Sequence, residues 1–330
     1  MPANLPPEYH RIEATLREAK TLSEKIEISE RLISVIPKHK GTEKLVALYK
    51  SKIAKLRDEM QRRPSTARRG PMLRIDKSGA GQVVIAGPPN SGKSSLVAAL
   101  TGVAVEVADY PYTTREPSPF MMPFENVKIQ LVDTPPVTAE FMEPWFPEML
   151  KTSDAVVLVA DLGDPECPGL LAEIISSLRE KKVEFAAPSA DVPPEKAPFL
   201  KRMLLAANKS DLDSSGEAFG ELGALLDVPR ERLAVSAATG LHVHELKRRI
   251  FGLLHVVRAH SKAPGKKAEL DSPFTLRKGA TVLDMARAVH KDFAERLDFA
   301  RVWSKDGAIE GLRVNRDHVL NDEDVVELHI

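Results

Sequence analysis

The sequence has little cysteine, few aromatics and no net charge. Its one cysteine, Cys167, in 330 residues excludes an internal disulfide framework and a cysteine-rich metal site. Lys plus Arg and Asp plus Glu both number 47, so no global field of one sign marks a binder of bulk polyanion, and no DNA partner is expected. No uncharged apolar run reaches the roughly 18–20 residues that span a bilayer. The opening stretch MPANLPPEYHRIEATLREAK holds no signal-type apolar segment. These absences lead to the expectation of a cytoplasmic protein with no membrane attachment. Hydrophobic residues at 43% suffice for buried cores, and the length is comfortable for two domains.

Hydrophobic periodicity divides the chain. Ile12, Leu16, Ala19, Ile26, Ile33 and Ile36, then Leu45, Leu48, Ile53, Leu56 and Met60, recur at helical steps around the break Pro37-Lys-His-Lys-Gly41. This pattern predicts a helical hairpin over 1–66, basic at its end, and a linker over 67–80. From 81 to 260, short apolar runs alternate with helical patterns. The strand candidates are Gln82–Ala86, Val127–Val132, Ala155–Ala160, Arg202–Ala206 and Arg232–Val235. Such alternation predicts an α/β domain with a mostly parallel sheet and helices on both faces, plus one antiparallel strand near Pro119–Phe124. A second linker over 261–270 leads to a small α+β module over 271–330, with a helix over Val282–Phe293 and a closing strand over Asp324–His329.

The strongest chemical signal is Gly87-Pro-Pro-Asn-Ser-Gly92-Lys93-Ser94, which fits GxxxxGK[ST] between a buried strand and a helix. Glycines let the backbone wrap a phosphate, so that the amides of Gly87, Asn90, Ser91, Gly92, Ser94 and Ser95 and the helix N-terminus face negative charge. Lys93 is placed to reach the outer phosphates, and Ser94 offers a hydroxyl to magnesium. Asp133 ends a second strand, where a phosphate-binding protein needs a carboxylate that holds magnesium through water. Asn208-Lys209-Ser210-Asp211 ends a third. The Asp211 carboxylate suits guanine N1–H and the 2-amino group, and adenine would leave it unpaired. Asn208 would orient the loop and the Lys209 stem would cover the base. On the next strand end, Ser236 and Ala237 bring an amide toward the guanine 6-oxo group.

In this order the motifs resemble those of translation-factor-class GTPases. Ala108-Asp-Tyr-Pro-Tyr-Thr-Thr114 is similar to the first switch of the Obg family, and that resemblance gives Thr114 a role in closing on magnesium and the γ-phosphate. The stretch SPFTLRKGATVLDMARAVHKDF…VNRDHVLNDEDVVELHI resembles a TGS domain, a ubiquitin-like β-grasp. HKGTEKLVALYKSKIAKLRDEM resembles the helical lead-in of the developmentally regulated GTP-binding (DRG) branch. The resemblance implies a Ras-like P-loop fold, slow magnesium-dependent GTP hydrolysis with Lys93 and Thr114 as the catalytic groups, and a GTP/GDP switch near ribosomes or RNA, open to a regulatory protein partner.

Two departures bear on chemistry. The family pattern is DxPG, whereas this chain has Asp133-Thr-Pro-Pro136 with no glycine before Leu162. Proline has no N–H for the γ-phosphate. Val137 stands where many GTPases place a water-orienting glutamine. A rival reading is therefore a guanine-nucleotide sensor with little turnover, and a third is a P-loop ATPase or kinase. Asn90 has two readings, a potassium ligand beside the phosphates or a stabiliser of the loop. From Lys38 to Arg74 there are 12 Lys/Arg against 3 Asp/Glu, a segment that can neutralise RNA phosphates or be a solvated helix face. No aromatic pair for reading RNA bases is evident. Trp145 and Phe146 are read as packing anchors or a docking patch, and Cys167 as an exposed loop thiol.

Overall fold

The computed structural model describes Ile12 and residues 22–36, 49–50, 52–53, 75–103, 116–226 and 231–330. The chain divides into two units, Met1–Met72 and Leu73–Ile330. In the first, helix α1 (Leu22–Val35) buries Leu32 and Ile36 with Tyr49, and Ile12, Ile28 and Ile33 pack around them. Ile28, Leu32 and Ile36, four residues apart, fall on one face of the helix and its end. Most of the basic segment Lys38–Arg74, including Arg62, Arg63, Arg68 and Arg69, lies outside the described residues.

The second unit holds two sheets. The first runs β2 (Ser118–Phe124), β3 (Val127–Asp133), β1 (Gln82–Ala86), β4 (Ala155–Asp161), β6 (Leu200–Asn208), with β5 (Glu184–Ala186) and β7 (Arg232–Ala234) both paired to β6. Every pairing is parallel except β2 with β3. The antiparallel strand expected near Pro119–Phe124 is β2. The three-residue β5 had no counterpart in the sequence reading, because so short a run carries no periodicity.

Strand β4, AVVLVAD, is buried along its length, as a strand covered on both faces must be. Val156 and Leu158 point to one layer, with Phe146 and Leu150 of α3 (Trp145–Thr152), Leu171, Ile174 and Leu178 of α4 (Cys167–Glu180), and Leu222 of α5 (Glu217–Leu225). Val157 and Val159 point to the other, with Leu96 and Leu100 of α2 (Lys93–Thr101) and Leu246, Ile250 and Leu253 of α6 (Val243–Leu254). Phe146 is thus a packing anchor. Cys167 corrects an expectation. It is fully buried as the first residue of α4, and its Sγ accepts the Asp161 N–H at 3.1 Å. Burial pushes the thiol up to about 11, so it is a small core residue rather than a reactive one.

The second sheet has the order β11 (Leu312–Val314), β10 (Phe299–Trp303), β12 (Asp324–His329), β8 (Val256–Ser261), β9 (Phe274–Arg277). The sequence reading carries the first domain to residue 260, but hydrogen bonding puts β8 in this second sheet, parallel to β12 and antiparallel to β9. Of the stretch 261–270, Ser261 ends β8 and the rest lies in the loop that joins β8 to β9. Helix α7 (Val282–Val289) covers one face through Val282, Met285 and Ala286. Its start is fixed by a capping box of Thr281 and Asp284. The helix expected over Val282–Phe293 breaks at His290, whose extended backbone and ring cap a separate α8 (Lys291–Arg296).

On the other face, Phe299 stacks on His329 with centroids 4.3 Å apart, and the Arg313 guanidinium sits 3.8 Å from the Phe299 ring centre. Arg258 on β8 joins the two sheets. It is 4% exposed and pairs with Asp322 and Glu323 beside it and with Glu125 in the β2–β3 turn. It also donates to Asn126 of that turn at 3.0 Å and lies over the Phe251 ring of α6.

Candidate functional site

The sequence-predicted site residues gather at the C-terminal ends of β1, β3, β6 and β7. Strand β1 delivers the loop 87–92, and α2 starts at Lys93 with Gly92 as its cap. No side chain caps the helix and no acidic residue stands in its first turn, so its free N–H groups face the loop. Gly92 has φ +82, and a Cβ there would lie 2.3 Å from Asn208 Nδ2. Both the backbone and the neighbour therefore require glycine. Asn90 is exposed and left-handed at φ 58; Lys209, half-buried, is left-handed at φ 60. Strained non-glycine backbone of this kind persists where the surroundings fix it, often at ligand sites.

Lys93 is almost fully buried, and its Nζ donates to the carbonyls of Gly87 at 3.1 Å and Pro88 at 2.8 Å. Burial lowers its pKa to about 8, against the pull of Asp133. Ser91 Oγ donates to the Pro88 carbonyl at 3.0 Å, and Ser95 lies half-buried in the first turn of α2. Ser94 Oγ donates to Asp133 Oδ2 at 2.6 Å. The other carboxylate oxygen, Asp133 Oδ1, is buried without a hydrogen-bond partner among the described residues. Burial raises the Asp133 pKa, opposed by the Ser94 hydroxyl and the Lys93 charge. A hydroxyl and a carboxylate with a spare buried oxygen form an oxygen-only donor set that suits magnesium. Thr114 lies outside the described residues.

Beyond Asp133 the chain is tied to β1. Thr134 Oγ1 donates to the Ile85 carbonyl at 2.8 Å, and the Val137 N–H donates to the Gly87 carbonyl at 3.2 Å. Pro136 between them offers no donor.

Asn208 spans two loops. Its Nδ2 donates to the Ser91 carbonyl at 3.0 Å and its Oδ1 accepts the Ala237 N–H at 3.1 Å. The amide expected to meet a guanine oxygen is therefore engaged by Asn208 in this structure. Ser236 is buried and its Oγ accepts the Thr239 N–H at 3.1 Å. Asp211 is exposed in the turn closed by the Leu212 N–H on the Lys209 carbonyl, and its carboxylate makes no hydrogen bond among the described residues. Sequence reasoning missed Asp161, at the end of β4. It accepts Lys209 Nζ at 2.5 Å and the Gly163 N–H at 2.9 Å, so it fixes the lysine expected over the base. The available signal was its place at a strand end between the two motif strands.

Comparison with known proteins follows this division. Residues 82–190 match the model described as "50S ribosome-binding GTPase", and residues 263–330 match the TGS domain. A GTP-binding protein of Methanocaldococcus jannaschii is 26% identical, over 94% of this chain and 93% of its own. The developmentally-regulated GTP-binding protein 2 homolog of Dictyostelium discoideum is 24% identical, over 92% and 98%. The solved YchF GTPase of Schizosaccharomyces pombe superimposes with a TM-score of 0.52 at 14% identity, over 78% of this chain and all of its own, which bears on the fold alone. The Ras-like α/β domain and the C-terminal β-grasp expected from sequence are both present.

Proposed function

This chain is a GTP-binding protein of the developmentally regulated type, with a GTPase domain and a TGS domain, and on that premise we propose that it is a cytoplasmic, magnesium-dependent guanine-nucleotide switch that hydrolyses GTP slowly and acts on a ribosomal or RNA partner. The observation that carries the reading is the Ser94–Asp133 pair, with its partnerless buried oxygen beside Lys93. Gly87, Asn90, Ser91, Gly92 and Ser95 cradle the phosphates, and Lys93 swings from two carbonyls to the outer phosphates. Ser94 and Thr114 would hold magnesium directly, and Asp133 would hold it through water. Bound magnesium neutralises charge on the outer phosphates. Asn208 sets the distance between the phosphate loop and Ser236–Ala237, Lys209 covers the base, and Asp211 reads guanine. Asn90 is the group that would hold potassium.

GDP against ADP competition tests the base reading, and Asp211→Asn weakens guanine binding if it is right. Adenine ligands that bind equally well would overturn it and restore the ATPase or kinase alternative. A second reading, binding with little turnover, is supported by Pro136 and by the Val137 N–H spent on Gly87. Multiple-turnover hydrolysis with and without ribosomes decides between the two. No rate above background in either condition removes the enzyme.

The partner face we propose is the open side of the second sheet, where Arg313, Phe299 and His329 form a stack beside the exposed Arg301. The two rings come from β10 and β12 and meet only through the strand register, so the aromatic pair missing from the sequence reading is made by the fold. Aromatic and guanidinium planes on a sheet suit unpaired bases. Co-sedimentation with ribosomes in GDP and in a non-hydrolysable GTP analogue is the test, and equal binding in both would remove the switch.

A further inference from the structure

A second polar cavity of about 640 Å³ lies at the opposite end of the parallel strands from the phosphate loop. It is lined by the starts of β4 and β6, the connection from β5 to β6, the end of α6, and Arg277, Lys278 and Gly279 at the end of β9. Its basic groups are held in an unusual way. Lys201 is 4% exposed, and its Nζ donates to the carbonyls of Lys151 and Ser153, each at 2.7 Å. Arg202 donates to the carbonyls of Ala190 and Leu253 at 3.0 and 3.1 Å. His255 Nε2 meets the Pro188 carbonyl at 2.9 Å.

Carbonyl oxygens satisfy donors without cancelling charge. None of these three, nor the exposed Arg277 and Lys278, has a carboxylate within ion-pair distance among the described residues. Two acids line the cavity. Asp154 is already taken by Lys77 and the Gln82 N–H; Asp191 lines the cavity without an ion pair among the described residues, and its charge acts on Arg202 and His255. Burial lowers Lys201 to about 8; the Lys77 charge adds to the effect, Asp154 opposes it, and Arg202 adds a smaller push, as expected of a buried cation with no carboxylate in direct contact. The volume falls within the roughly 300–1,000 Å³ of small-ligand sites. Lysine and arginine together are the usual donors to phosphate oxygens.

We propose that this cavity binds a small molecule bearing a diphosphate group, contacted from both domains of the Leu73–Ile330 unit. The site is separate from the nucleotide site and does not rest on the guanine reading. The probe is inorganic pyrophosphate, titrated calorimetrically at low salt into full-length protein saturated with GDP, so that the phosphate loop is filled. The expected result is one saturable site. The double variant Arg277→Gln/Lys278→Gln changes only exposed side chains. It should weaken pyrophosphate by about tenfold or more, the scale of one lost charge-assisted bond, with GDP affinity unchanged. Lys201→Met should abolish the site, and a thermal melt shows whether that chain is folded. No saturable heat to millimolar pyrophosphate, or a double variant that binds like the parent, would overturn the proposal. A protein that takes no GDP would still give the answer, because the Arg277/Lys278 comparison reports on this cavity alone.

Discussion

Gly92 and Asn208 are adjacent, and their coupling can be measured. Asn208→Ala removes a donor to the Ser91 carbonyl and an acceptor for the Ala237 N–H. Asn208 is 2% exposed, so water repairs these losses poorly. Two broken bonds of this kind cost about 2–5 kcal/mol together. Gly92→Ala has two costs. An L-residue at φ +82 adds about 1–2 kcal/mol. Its methyl, 2.3 Å from Asn208 Nδ2, also forces the amide to give up the same two bonds. In the double variant the clash is gone and the bonds are already lost. Its cost should therefore be that of Asn208→Ala plus backbone strain alone, below the sum of the singles by the cost of the two bonds, about 2–5 kcal/mol. Urea unfolding of the four proteins gives the cycle, and GDP affinity should follow the same order. Additivity within about 0.5 kcal/mol would refute the contact, since that is what independent sites show.

Three further outcomes are expected. Because Lys93 has its pKa lowered to about 8 in the free protein and phosphates favour the charged form, nucleotide binding should take up a proton above that pH and weaken as pH rises. Calorimetry at pH 8.5–9 in buffers of different ionisation heat should reveal the uptake, and buffer-independent heats would refute it. Asp133→Asn should erase the gain in GTP affinity that magnesium gives, measured as Kd with and without EDTA; an unchanged magnesium effect would clear Asp133 of the role. Pro136→Gly supplies an N–H, and one charge-assisted bond of about 1.5–3 kcal/mol should raise the preference for a GTP analogue over GDP by about tenfold or more. No change in that ratio means another group already fills the position.

Local pattern was enough for the strands and loops that carry chemistry. Gln82–Ala86 was legible because a five-residue buried run precedes a glycine loop and a helix. Asp324–His329 was legible because Val326 and Leu328 alternate with the polar Glu327 and His329 behind a β-branched pair, Val325-Val326. What sequence could not provide was long-range. Cys167 looked like a loop thiol between prolines, yet Pro168 is at the start of a helix, where its missing N–H is harmless. Val256–Ser261 reads as the end of the first domain, and only its pairing with β12, whose residues lie some sixty positions later, assigns it to the second. Asp161 reads as one more strand end until the parallel register sets it beside Asn208. Asn208 itself was expected to orient its loop, but its two partners, 117 and 29 residues away, come from contacts that no local window contains.

The buried guanidinium at Arg258 limits how the polypeptide can be divided. Severing the chain ahead of β8 would strip Glu125, Asn126 and the Phe251 ring from that cation and leave the Phe124–Phe251 stack open along one edge. Neither piece would keep a finished surface, so heating should melt both sheets in a single transition. Truncations meant to isolate the nucleotide-handling half must carry the β-grasp with them.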